Sequence, residues 1–309
     1  MHKFATLAQL ILINLAARRS LARTPEPEPI TDQTENVKEY DNALTTNMVG
    51  NYTVTLDFIH RCLPNVDREL AALDLCSGPG HLALNMVKNF NIRQLRGIDL
   101  SSPMVALANN NSIKYGLVKK AQFQLGDVRK ELKNAPSASY DLVTFNNSAH
   151  HLPSLDAVSE VLHEINRVAK PEGLIVVTDM ARLKNTKMTD KFVEFVGSDY
   201  LRAGMPHMYE DFKNTMYAAW TPEELNSTVP PIGHHAWYHV VPKALPFFQV
   251  IIGVPMGQGE LYLRPSRNWE TADILARPEA KTDYHQLQNL FASASVVRVA
   301  PSEQGKKAA

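Results

Sequence analysis

The chain has 309 residues, 44% hydrophobic and 21% charged, with 32 Lys plus Arg balanced by 32 Asp plus Glu. That composition is ordinary for a globular protein of one large domain, or one domain with a cap. A zero formal charge gives no global electrostatic reason to bind nucleic acid or an anionic membrane, which leaves a small, weakly charged substrate as the expectation.

Residues 4–22 read FATLAQLILINLAARRSLA, interrupted by Gln9, Asn14, Arg18 and Arg19, and the first acidic residue is Glu26. The segment is too short and too polar for a spanning helix. Three readings stay open: a helix packed on the body, an amphipathic helix touching a membrane surface or partner, or a targeting presequence. The expected location is the cytoplasm, with an organelle or a membrane surface as the alternative. The next segment, TPEPEP over 24–29, is expected to be an extended connector, because each proline disfavours helix at the residue before it.

A helical stretch over 36–62 leads into alternating short apolar runs and helical patterns. Strands are expected at 71–75, 95–99, 121–125, 140–145 and 174–178, with helices at 81–89, 103–115 and 155–169. The segment 128–139 between the third and fourth runs is less clearly helical. Alternation of this kind implies βαβ units with right-handed crossovers and a parallel sheet, whose ligands bind beyond the carboxyl ends of the strands. Residues 181–232 are rich in Met, Phe, Tyr and Trp without a strand pattern, and Thr221, Pro222 and Glu224 spell a capping box. Two more strands at 234–241 and 247–254 complete the sheet. Beyond residue 255 the chain is turn-rich with one helix near 284–292, and 302–309 is expected to be disordered. Residues 1–65 thus form a helical cap, 66–254 the main domain with 181–232 as a lid, and 255–309 an extension.

The segment ALDLCSGPGHLAL, residues 72–84, places Asp74 at a strand end, four positions before Gly78, with Gly80 following. Gly78, Gly80 and Ala83 satisfy a dinucleotide spacing, which would suit NAD. A carboxylate at Asp74 would repel a pyrophosphate but attract a sulfonium or ammonium group, and so favours S-adenosylmethionine. Asp99 ends the second strand 21 positions after Gly78, where an acid accepts ribose hydroxyls; Ser102 is the expected cap of the following helix. Met104 falls where an apolar side chain covers adenine, and Asp127 follows the third strand, suited to the adenine amino group.

In sequence order, DLCSGPG, GIDLSSPM, GDV, YDLVTFNNSAHHLP and KPEGLIVVTD resemble class I S-adenosylmethionine-dependent methyltransferases over roughly residues 24–254. PEPEP-ITD and AAWTPEEL resemble a bacterial-type subgroup with small acceptors. The resemblance implies a doubly wound, mostly parallel seven-stranded α/β sheet with a helical cap and lid. It also implies that Asp74, Gly78 and Gly80 hold the amino-acid moiety, Asp99 the ribose, and Met104, Asp127 and Val128 the adenine. Asn146 would approach the methionine portion and Tyr40 the cofactor carboxylate. The product would be S-adenosylhomocysteine.

His150 and His151 follow the fourth strand. Either suits proton removal from an acceptor, or a packing role at a helix start. No metal is expected, since no acid or cysteine stands beside them at ligand spacing, and Cys62 and Cys76 form no zinc pattern. The Asn-Pro-Pro-Tyr type of motif that cradles a nucleobase or glutamine is absent. Tyr200, Tyr209, Tyr217 and Trp220 are candidate linings of the lid, against a plain packing role. The expected activity is methyl transfer to a small molecule; a protein or peptide acceptor, or a non-catalytic scaffold that keeps the cofactor, are the alternatives.

Overall fold

A computed structural model describes residues 2–27, 34–63, 68–231, 233–258 and 278–299. The N-terminal helix α1 (His2–Ala16) is followed by α2 (Thr34–Thr45) and α3 (Val49–Cys62). The helical stretch expected over 36–62 is thus formed by two helices. It breaks after α2, where the Thr45 and Thr46 hydroxyls donate back to the carbonyls of Asp41 and Asn42 and compete with the helical ladder.

The sheet region then runs β1 (Leu70–Leu75), α4 (His81–Asn89), β2 (Ile92–Asp99), α5 (Ser102–Lys114), β3 (Ala121–Leu125), α6 (Val128–Asn134) and β4 (Tyr140–Asn146). A 3-10 turn (Ala149–His151) leads to α7 (Leu155–Val168) and β5 (Ala169–Met180). The aromatic-rich stretch folds as α8 (Thr186–Arg202), α9 (Pro206–Ala218) and α10 (Pro222–Asn226). The chain closes with β6 (His235–Pro242), β7 (Phe248–Pro255), α11 (Pro278–Ala292) and β8 (Ala294–Arg298).

The strand order is β3-β2-β1-β4-β5-β7-β6-β8. Strands β1 to β5 pair in parallel, while β7 is antiparallel to β5 and β6, and β8 is antiparallel to β6. The expected seven-stranded sheet is therefore corrected to eight. Strand β8 was missed because Val296 and Val297 stay exposed at the sheet edge, so no apolar alternation marks it.

Along β1 the side chains alternate between faces: Leu70 and Ala72 join the core on one side, Leu73 and Leu75 the core on the other. Both faces are covered by helices, which is why the parallel strands are apolar throughout. Helix α7 puts Val158, Val161, Leu162 and Ile165 into the second core, and the Ser154 side chain caps it by accepting from the Ala157 N–H at 3.2 Å. Thr221 and Glu224 form the expected capping box of α10. Helix α5 is capped by Ser101 rather than Ser102: the Ser101 hydroxyl accepts from the Met104 N–H.

Helix α1 lies on the body next to α8, in line with the packed reading. Leu10 is fully buried, Asn14 donates to the Ala244 carbonyl, and Lys184 donates to the Asn14 carbonyl. Among the described residues, no helix is long and apolar enough to cross a membrane. Residues 28–33, which hold the end of the proline connector, and the tail 302–309 lie outside the described residues.

Candidate functional site

Strand order reverses between β1 and β4, and the crevice at such a switch point is where an open α/β sheet binds its ligand. Two non-glycine residues adopt positive φ at that place, Cys76 at 53° just past β1 and Asn147 at 48° just past β4. Left-handed backbone on such residues stores strain of order 1–3 kcal/mol, and it concentrates at ligand sites. A cavity of about 310 Å³ opens here, within the range of small-molecule sites.

The carboxyl ends of β1 to β3, with the turns and first helical residues after them, supply Gly78, Asp99, Met104, Asp127 and Val128 to its wall. Tyr40 of α2 also lines it, and sits 3.7 Å from where a Cβ on Gly78 would be. Asp99 accepts from the Gly78 N–H at 2.7 Å through Oδ2 and from the Ser101 N–H at 2.9 Å through Oδ1. Burial raises its pKa, opposed by those backbone bonds. Asp127 lines the cavity while capping α6, accepting from the Arg129 N–H at 3.0 Å.

Three expected residues are not on this wall. Asp74 is buried beneath the loop, where the Thr144 hydroxyl donates to it at 2.7 Å. Burial, with Asp99 nearby, pushes its pKa up to about 7. Gly80, at φ 81°, is held against the ring of Phe123: a Cβ there would stand 2.7 Å from Phe123 Cζ, so its missing side chain serves packing. Asn146 faces the other way, its Oδ1 accepting from the hydroxyls of Thr55 and Thr178. Its neighbour Asn147 lines the cavity instead, and its buried Oδ1 has no hydrogen-bond partner among the described residues.

The turn after β4 and helices α8 and α9 supply the remaining wall, including His150, His151, Tyr200, Met208 and Asp211. The His150 N–H donates to Asp179 at 2.9 Å, and its ring Nδ1 lies 2.5 Å from the other oxygen of that carboxylate. His151 Nδ1 is 2.6 Å from Glu26 Oε2, and His150 Nε2 is 3.6 Å from Glu26 Oε1. Burial alone would raise the Glu26 pKa, yet His151, His150 and the Thr215 hydroxyl hold it below the usual range. Burial works against protonation of His151, and the bond to Glu26 still leaves its pKa raised. Burial, reinforced by Glu26, pushes Asp211 up to about 7.

Residues 72–173 match the model of a family described as a methyltransferase domain. Over that span the chain carries a methyltransferase domain. Demethylmenaquinone methyltransferase of Leptospira interrogans is 29% identical over 121 residues, covering 39% of this chain and 47% of that protein. The ubiquinone/menaquinone biosynthesis C-methyltransferase UbiE of Rickettsia bellii is 26% identical over 163 residues, 51% of this chain and 63% of the relative. The chain thus spans about half the length of the curated relatives it matches. The plantazolicin methyltransferase BamL, crystallised with SAH and a triazolic desmethylPZN analog, superimposes with a TM-score of 0.51 at 15% identity. That superposition covers 93% of this chain and 90% of BamL, and is a likeness of fold.

Two acidic residues of the site come from outside the matched span. Glu26, bonded to the histidines behind the wall, precedes it, and Asp211, on the wall, follows it; neither was given a role from the sequence. Glu26 sits in the proline connector, whose regularity suggested only a spacer. Arg23 fixes that connector: it donates to the carbonyls of Ala218, His150 and Leu152 at 2.7–3.0 Å, and its guanidinium stacks 3.8 Å above Trp220. Of the aromatic lid candidates only Tyr200 lines the cavity. Tyr209 packs on Gly197, Tyr217 donates to Asp190, and Trp220 is buried with its Nε1–H on the Ala149 carbonyl.

The residues present fit S-adenosylmethionine. Asp99 turns a carboxylate to the cavity, Asn147 Oδ1 is an unpartnered acceptor for an ammonium group among the described residues, and Met104 with Val128 offers apolar surface.

Proposed function

We propose that the chain transfers the methyl group of S-adenosylmethionine to a small-molecule acceptor and releases S-adenosylhomocysteine. The observation that carries this reading is the wall of the cavity beyond β1 and β4. It joins Asp99, Met104, Asp127 and Val128 on the nucleoside-binding loops to His150, His151, Tyr200 and Asp211 beyond β4 and on the lid helices.

In this reading Asp99 accepts the ribose hydroxyls, Met104 and Val128 flank the adenine, and Asp127 accepts from its amino group. Gly78 brings backbone close to the amino-acid moiety, beside Tyr40 and Asn147. Asp74, Gly80 and Asn146 hold the shape of the loops beneath. The cofactor supplies an electrophilic methyl on a sulfonium. Transfer of that methyl would leave the electron pair on sulfur, and the acceptor's proton would pass to the imidazole of His150 or His151 or to water. Alignment and exclusion of water supply most of the rate in such a displacement. His150 and His151 contact the acceptor. The names of the curated relatives, a demethylmenaquinone methyltransferase and a ubiquinone/menaquinone C-methyltransferase, support a small organic acceptor. Two free thiols, Cys62 and Cys76, suit a reducing cytoplasm.

Calorimetric titration with S-adenosylmethionine, S-adenosylhomocysteine and NAD tests the reading. Micromolar binding of both adenosyl compounds with none of NAD is expected. Binding of NAD alone, or of none of the three, would overturn it.

A further inference from the structure

We propose that Glu26, His150 and His151 form a binding site for a divalent transition-metal ion at the edge of the acceptor cavity, which the two histidines line. No metal spacing is legible along the chain because the acid arrives from far upstream. The fold brings Glu26 to the histidines, and one ligand atom from each of the three lies within 4.8 Å of the others.

The ring of His150 is held by its surroundings: Nδ1 lies against the fully buried Asp179 carboxylate, which leaves Nε2 as the ring atom turned to Glu26. That Nε2 stands 3.6 Å from Glu26 Oε1, and as a neutral imidazole it would offer a metal its lone pair. Metal bonds of about 2.1 Å in tetrahedral geometry put ligand atoms roughly 3.4 Å apart, close to that separation. The hydrogen bond of 2.6 Å between Glu26 Oε2 and His151 Nδ1 marks the proton that the ion would replace.

The supporting contacts match those of a metal site as well. A ligating histidine ordinarily donates its second ring N–H to a carboxylate, and ligating carboxylates are themselves hydrogen-bonded. Asp179 fills the first role, anchored by the N–H groups of His150 and Met180. The Thr215 hydroxyl fills the second, donating to Glu26 Oε1 at 2.8 Å. Two imidazoles and one carboxylate suit zinc, iron(II), cobalt or nickel rather than magnesium or calcium. Three protein ligands leave coordination positions open towards the cavity that both histidines line.

Resting on the methyl-transfer reading, the acceptor class is a molecule with a metal-binding oxygen, such as a hydroxyl on or beside a carbonyl. The ion would hold that oxygen and make its proton more acidic. His150 and His151 would then be ligands, and no separate base is required.

The test uses the untagged full chain, stripped with a chelator and titrated with Co²⁺ by calorimetry and visible absorption. One equivalent of cobalt is expected, with ligand-field bands of a nitrogen- and oxygen-ligated ion. Glu26→Gln and His151→Ala should each weaken cobalt binding more than tenfold, with thermal midpoints reporting that the variants are folded. His151 is the safer variant, since its side chain is 35% accessible. Absence of saturable cobalt binding to the wild type, or unchanged affinity in both variants, would overturn the site. S-adenosylhomocysteine is titrated into the wild type in parallel. Adenosyl binding without cobalt binding sinks the metal site alone, and cobalt binding without adenosyl binding sinks the transfer reading alone.

Discussion

Replacing Asp99 by Ala removes a carboxylate with a countable set of bonds. Its oxygens already accept from backbone N–H groups, Gly78 at Oδ2 and Ser101 at Oδ1, with Leu100 as a further backbone donor, and the carboxylate still faces the cavity. Two charge-assisted bonds to ribose hydroxyls are lost, and part of that loss is recovered by water entering the gap. The expected cost is about 1–3 kcal/mol in affinity for S-adenosylhomocysteine, or roughly 5- to 150-fold. The Gly78 and Ser101 N–H groups also lose their acceptor, so the thermal midpoint falls by a few degrees. Calorimetry and thermal denaturation on the same preparation separate the two effects. A lower midpoint with unchanged adenosyl affinity would confine Asp99 to anchoring the glycine loop and refute its role towards the ribose.

Acid should weaken the β6–β7 region through two buried histidines. Desolvation depresses His235 and His239 to about 4 each, against the upward pull of backbone bonds to Gly173 and Lys170 at His235 and of the Gln249 side chain at His239. The unfolded chain takes up protons below about 6.5, where the fold does not, so their contribution is complete above 6.5 and is lost as pH falls towards 4. Each is worth about 2 kcal/mol between pH 7 and 5. Asp74 and Asp211, raised to about 7, oppose this trend, so the readout is the difference between wild type and His239→Gln in urea unfolding at the two pH values. An equal pH slope in both proteins would remove His239 from the account. At Gly97 a Cβ would stand 2.2 Å from Phe123 Cδ1. Gly97→Ala should therefore destabilise by about 1–3 kcal/mol through overpacking. Phe123→Leu in the same chain should recover part of it, and strict additivity in urea unfolding would refute the clash.

Local chemistry was legible where one element decides its own shape. The β1–glycine–α4 unit, the Ser154 cap and the Thr221–Glu224 box were each readable from a few neighbouring residues. Errors arose where a single position or a distant partner decides. Asn146 and Asn147 are adjacent, and the left-handed turn at Asn147 decides which of them faces the cavity. Ser101 and Ser102 both suit a cap, and the backbone entering α5 selected the first. Strand β8 exists only because β6 offers it an edge.

The sequence by itself determined the α/β class, the parallel direction of the first five strands and the acidic residues at the ends of β2 and β3. Those follow from periodicity, chirality and turn chemistry, which act over short stretches of chain. Tertiary structure alone decided that Glu26 meets His150 and His151, that Asp211 joins the same wall, and that Asp74 lies beneath the cavity. Such contacts depend on the packing of α9 and on Arg23 tying the connector to Ala218, His150 and Leu152. A carboxylate in a proline-rich connector carries no sign of its partner, because the proximity that shifts its charge exists only once the chain has closed.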